Sequence, residues 1–239
     1  MSCYNCNQPV SEKFCGNCGQ PAVLKRVDGH YILHEIQHIL HFEKGILYTF
    51  KALLVSPGKS IREFITCNRN RLVKPVIFLL ITSLIYTVII HFFHTSETHA
   101  ARGIPQSSGI AAVFAWVESH YGYANIIMGV FIGGWLKLMF GRYGYNFYEM
   151  LILLCFVMGM GMLILAVFEL GEGLLKVSLA SPASIAAILY CAWAIAQFFD
   201  PRKFKNYLLA LMAYLLGMFS FILSAVLLGA VADLLMKHV

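Results

Sequence analysis

Four cysteines open the chain in the pattern C-x2-C-x8-C-x2-C: Cys3, Cys6, Cys15 and Cys18. Two thiolates two residues apart can clasp one metal ion from a single tight turn. Two such turns complete the tetrahedral all-sulfur site of a structural Zn2+ ion. In the second turn, Cys15-Gly16-Asn17-Cys18-Gly19, glycine stands where the backbone needs positive φ to bend around the sulfurs. A unit of about 20 residues cannot fold on apolar burial alone, so the metal supplies the folding free energy. The expectation is a zinc ribbon over residues 1–22 with Tyr4 and Phe14 as its small core. A closed four-thiolate site leaves no open position for a substrate, so its role is structural or recognitional. The remaining cysteines, Cys67, Cys155 and Cys191, are isolated and read as small apolar packing residues.

A second arrangement with possible chemistry is His34-Glu35-Ile36-Gln37-His38, a literal H-E-x-x-H. On a helix its two histidines share one face, and in a zinc protease the glutamate between them activates water. Glu63, with 24 residues between it and His38, falls where a following helix could offer a third ligand. The alternative functional reading is therefore a membrane-surface metalloprotease with His34, His38 and Glu63 as ligands and Glu35 as base. Against it, His30 and His41 crowd the same polar face, as expected of a solvated or lipid-facing surface. Ser56-Pro57-Gly58-Lys59-Ser60 has the ending of a phosphate-binding loop, but Leu53 stands where that loop needs glycine. It reads as a helix start.

These residues must be positioned by helices. Residues 29–55 read as one amphipathic helix, with Ile32, Leu33, Ile36, Ile39 and Leu40 opposite the histidine face. A second helix is expected from Ser56 as N-cap and Pro57 in its first turn, through Ile61, Phe64 and Ile65. Arg69, Arg71 and Lys74 follow, a basic cluster suited to anionic lipid headgroups. The pair of helices, residues 23–74, is expected either in the headgroup layer or packed beneath a membrane bundle.

Hydrophobic residues make up 59% of the 239 positions and charged residues 13%, against about a quarter in soluble domains. Mean hydropathy is +0.71. One soluble core cannot hide that much apolar surface, so lipid is the main solvent. A span needs about 20 mostly apolar residues. Five stretches qualify: 75–94, 123–141, 149–170, 183–199 and 206–232, with the second weakened by Gly133, Gly134 and Lys137. A further interfacial helix is expected near 109–120. No basic stretch followed by an apolar one opens the chain, so no cleavable leader is expected. Residues 1–74 carry ten Lys and Arg, the loop after the first span only Arg102, and the bias alternates thereafter. By the positive-inside rule the N-terminus is cytoplasmic and the C-terminus lies across the membrane. The same bias accounts for the net charge of +6, and no basic run interleaved with aromatics suggests nucleic-acid binding.

The stretch His41-Phe-Glu-Lys-Gly45-Ile-Leu-Tyr-Thr-Phe50, with Pro57-Gly58-Lys-Ser-Ile-Arg62-Glu63-Phe, resembles the signature of the bacterial family called domain of unknown function 3667. Tyr145-Asn146-Phe147-Tyr148-Glu149 resembles a further family element that opens a span. The resemblance implies a four-cysteine ribbon joined to a helical membrane domain in a bacterial inner membrane, with a periplasmic C-terminus. It implies no known activity.

The sequence thus describes an all-α polytopic membrane protein: ribbon 1–22, amphipathic helices 23–74 and a transmembrane domain 75–239. The favoured function is non-enzymatic: partner docking or self-association through the zinc ribbon, beside membrane lipids. The alternatives are the protease and a lipid or small-solute transporter. Reporter tags fused to the two ends should be accessible from opposite sides of the membrane; accessibility from one side alone contradicts the five-span topology.

Overall fold

The computed structural model describes residues 2, 6, 8–9, 13–19, 45–67, 71–93 and 108–237, with side chains as far as Leu234. Cys3, Tyr4, the His34-Glu35-Ile36-Gln37-His38 segment and Arg69 lie outside the described residues. Two compact units divide the chain, Met1–Lys44 and Gly45–Val239. In the first, Ser2 and Pro9 form an isolated antiparallel bridge. Phe14 is 60% exposed, so it does not form the small core expected of it.

Among the described residues the regular elements of the second unit are all helices. Helix α1 covers Gly45–Val55. Helices α2 (Pro57–Thr66), α3 (Pro75–Phe93), α4 (Gly109–Ser119) and α5 (Tyr121–Phe140) follow, with a 3-10 turn over Gly141–Tyr143. Helices α6 (Phe147–Leu175), α7 (Ala180–Phe199) and α8 (Phe204–Lys237) complete it. Five of these, α3 and α5 to α8, are long and apolar enough to cross a membrane, as the hydropathy pattern requires. Helices suit that solvent because each satisfies its own backbone hydrogen bonds where no water can. Large apolar side chains such as Leu84, Val88, Ile185, Leu189, Phe219 and Leu228 point outward from them. So much exposed hydrocarbon is stable only against lipid.

Helix ends are set by local chemistry. Asn146 caps α6: its Oδ1 accepts from Glu149 N at 2.8 Å, and Glu149 Oε2 accepts from Asn146 N at 2.8 Å. This capping box satisfies two otherwise orphaned N–H groups. Glu149 is thereby committed to its own helix start. Lys137 donates to the carbonyl of Tyr145 at 2.8 Å. Ser108 caps α4 by accepting from Ala111 N, and the Asp233 carboxylate accepts from Gly109 N at the same helix start. Ser56 stands at the N-cap of α2 with Pro57 in the first turn, as expected, but its side chain makes no cap bond. Its hydroxyl lies 3.5 Å from that of Ser60 instead.

Lipid tails are as apolar as leucine, so the spans associate through close packing and interhelical hydrogen bonds. Helix α3 lies on α6, where the ring of Phe78 covers Gly159 and meets Phe156 at a centroid distance of 5.9 Å. Helix α5 crosses α8 at Gly217, where a Cβ would stand 2.5 Å from Ile132 Cα. One turn on, Trp135 Nε1 donates to Ser220 Oγ at 3.0 Å, and Ser220 donates onward to Leu216 O at 2.7 Å. Gly217→Ala should force α5 and α8 apart and cost about 1–3 kcal/mol. Unfolding in mixed detergent measures this, and an unchanged midpoint contradicts the crossing.

Candidate functional site

In the N-terminal unit the sulfurs of Cys6, Cys15 and Cys18 all lie within 4.8 Å of one another. Those of Cys6 and Cys15 are 3.5 Å apart with no disulfide between them. A tetrahedral zinc thiolate site, with Zn–S near 2.3 Å, has sulfur–sulfur edges of about 3.8 Å. The three side chains therefore fit three corners of such a site, with Cys15 almost wholly buried. Gly19, at φ +74°, lets its N–H fold back to Cys15 O at 2.8 Å and closes the turn around the pair. The Gln8 backbone N–H and then the Asn17 side chain donate to the Cys6 sulfur and hold its pKa down to about 6. Hydrogen bonds to the anion favour the thiolate, the form that binds metal.

The second unit carries its polar chemistry where α1 and α2 meet the bundle. Helix α2 buries Ile61, Phe64 and Ile65, and Phe64 meets Phe156 of α6 edge to face at 5.2 Å. Gly58 lies on the last turn of α7, so close that a Cβ would overlap the Gln197 carbonyl. Arg62 Nη1 donates to Gln197 O and to Phe198 O, both at 2.6 Å. Asp200 N takes Ala196 O at 3.1 Å. The final carbonyls of a helix have no partner within it and carry its negative dipole end. A guanidinium meets both needs.

Helix α1 is fixed from two sides. Tyr190 of α7 donates its hydroxyl to Leu53 O at 2.9 Å. Thr49, fully buried, accepts from Val73 N at 3.0 Å and donates to Gly45 O at 2.7 Å, tying α1 to the turn before α3. The described part of the amphipathic segment, residues 45–67, thus packs against the bundle, one of the two expected placements.

Glu63, the predicted third ligand of an alternative metal site, accepts from Arg71 Nη1 at 2.8 Å and lies 3.8 Å from Lys59 Nζ. Arg71 also donates to the Tyr48 hydroxyl and sits over its ring at 5.5 Å. Of the predicted lipid-contacting cations, Arg71 and Lys74 are both exposed, and Arg71 is engaged by protein groups. Beside the α7 end, Phe140 and Phe199 stack at 4.0 Å. Buried Asn206 there joins two turns, donating to Tyr143 Oη at 2.8 Å and Asp200 O at 3.1 Å. The sequence reading gave no role to Gly58, Arg62, Tyr190 or Asn206. For Gly58 and Arg62 the one sequence signal was the Pro-Gly-Lys-Ser-Ile-Arg stretch within the resemblance; Tyr190 and Asn206 carried none.

These features define a polytopic helical membrane protein with a helical pair docked on its bundle. Residues 43–87, which run from α1 through the first part of α3, match the family model described as Protein of unknown function (DUF3667). That is the family the signature residues resemble. No curated protein and no solved structure matches the chain.

Arg62→Ala should loosen α2 from α7 and cost about 2–3 kcal/mol, because two carbonyls lose a charged donor. Gly58→Ala should also destabilise the same contact, and less so once Arg62 is gone, since neighbouring changes do not add. Protease cutting between α2 and α3, measured for the two single variants and the double, checks both statements.

Proposed function

We propose that the protein is a non-enzymatic bacterial inner-membrane protein whose N-terminal thiolates hold a structural zinc ion and form a recognition unit. The unit would dock a cytoplasmic protein or a second copy of the chain, while the helical bundle anchors it among membrane lipids. The convergence of Cys6, Cys15 and Cys18 carries this reading. Cys3 would be the fourth ligand by its place in the C-x2-C pair. A site closed by four thiolates binds and shapes but offers no position for substrate. Engagement of Glu63 by Arg71 and Lys59 weighs against its recruitment to a catalytic zinc with His34 and His38. The carboxylate would have to break an existing ion pair to serve.

The purified chain should carry about one zinc ion. Cys15→Ser with Cys18→Ser should reduce zinc to background, and Cys67→Ser, Cys155→Ser and Cys191→Ser should leave it intact. Zinc measured by plasma emission against protein concentration checks this. Loss of zinc with no loss of self-association or partner recovery refutes the docking role, while retention of zinc refutes the site. A second zinc ion released by His34→Ala would instead establish the metalloprotease alternative.

A further inference from the structure

Helices α5, α6, α7 and α8 surround a cavity of about 140 Å³. All four are long and apolar enough to cross a membrane, and the cavity lies between them. Met128, Met158, Met162 and Met218 supply much of its wall from three of these helices. Methionine is unbranched and polarisable, and it adapts to ligands of irregular shape. Apolar voids of about 150 Å³ stay dry and accept benzene, so this one has the volume of a single six-membered ring. It is too small for the wide lipid path that a transporter needs.

Three polar side chains, Asn125, Ser184 and Tyr214, interrupt the apolar wall. Asn125, only 3% exposed, lines the cavity and donates its Nδ2 to Tyr121 O at 2.8 Å on its own helix. Its amide oxygen meets no donor among the described residues. The other polar side chains of the wall are already engaged. Tyr214 hydrogen-bonds Cys191, whose sulfur in turn reaches Val157 O at 3.7 Å. Ser184 donates to Ala180 O at 2.9 Å. The Asn125 amide oxygen is not sealed off in the packing and stays open as an acceptor beside the cavity. Ser184 is exposed on the outside of α7, which puts the cavity's edge in contact with the bilayer.

We propose that this cavity binds a small neutral molecule dissolved in the membrane, with an apolar body the size of one ring and a single hydroxyl as hydrogen-bond donor to Asn125. Phenols and cyclic alcohols are the chemical class. The site is independent of the zinc reading, and the Cys15→Ser/Cys18→Ser variant should retain it.

The test uses the full chain in phosphatidylcholine nanodiscs and follows saturable binding of para-fluorophenol and fluorobenzene by fluorine NMR, with empty nanodiscs as the partition control. The phenol should bind about three- to tenfold tighter than fluorobenzene, the value of one hydrogen bond. Asn125→Leu should abolish that preference while fluorobenzene still binds. Ala187→Phe, which fills the cavity, should remove both; Met218→Trp serves if that variant fails to fold. Equal affinity for the two probes, an unchanged preference in Asn125→Leu, or no saturable signal above empty nanodiscs overturns the proposal.

Discussion

A helix that stops against protein leaves its last carbonyls facing a medium with few donors. In this bundle the critical case is the end of α7, where Gln197 and Phe198 present their oxygens to α2. Arg62 supplies the missing donors and places a positive charge at the negative end of the helix dipole. Gly58 lets the first turn of α2 come close enough for that guanidinium to reach. Once α2 is seated, Phe64 enters the core beside Phe156, and Tyr190 can hold α1 through Leu53 O. The placement of α1 and α2 follows from this one closure.

The same economy of backbone polar groups recurs at other ends. Asn146 and Glu149 cap α6 reciprocally, and Asp233 of α8 reaches the first N–H of α4. In the middle of the spans helical hydrogen bonding is complete, and contact is governed by shape. Gly217 and Gly229 let backbones meet backbones, at Ile132 and Ile110. Trp135 and Ser220 add a directional bond between α5 and α8. Lipid offers no hydrophobic reason for helices to pair, so such close fits and hydrogen bonds must provide it.

The family match at residues 43–87 falls on the docked segment rather than on the thiolates. Within it the charged residues serve packing: Arg62 closes α7, and Glu63 steadies Arg71 against Tyr48. Their chemistry is that of an anchor. The groups disposed toward a ligand lie elsewhere, in the three sulfurs of the N-terminal unit and in the single amide of the cavity between the long helices. The first set suits a soft cation, and the second suits a neutral donor. The two belong to separate units of the chain.

Composition and periodicity alone determined the helical class, the five spans and the short helix near residue 109, because crossing lipid demands long apolar runs and forbids unpaired backbone. The cysteine spacing likewise announced a metal-type cluster, since ligands from tight turns are local in sequence. It did not determine Phe14, which faces outward, because a pattern of two knuckles says nothing about which side chain a turn covers. Nor could sequence reveal that Arg62 meets α7, 135 residues away, or that Asn125 faces a methionine-lined void. Contacts between distant segments depend on which helices become neighbours and at what rotation. Apolar spans with almost no amphipathic asymmetry do not encode that rotation; only the packed bundle decides it.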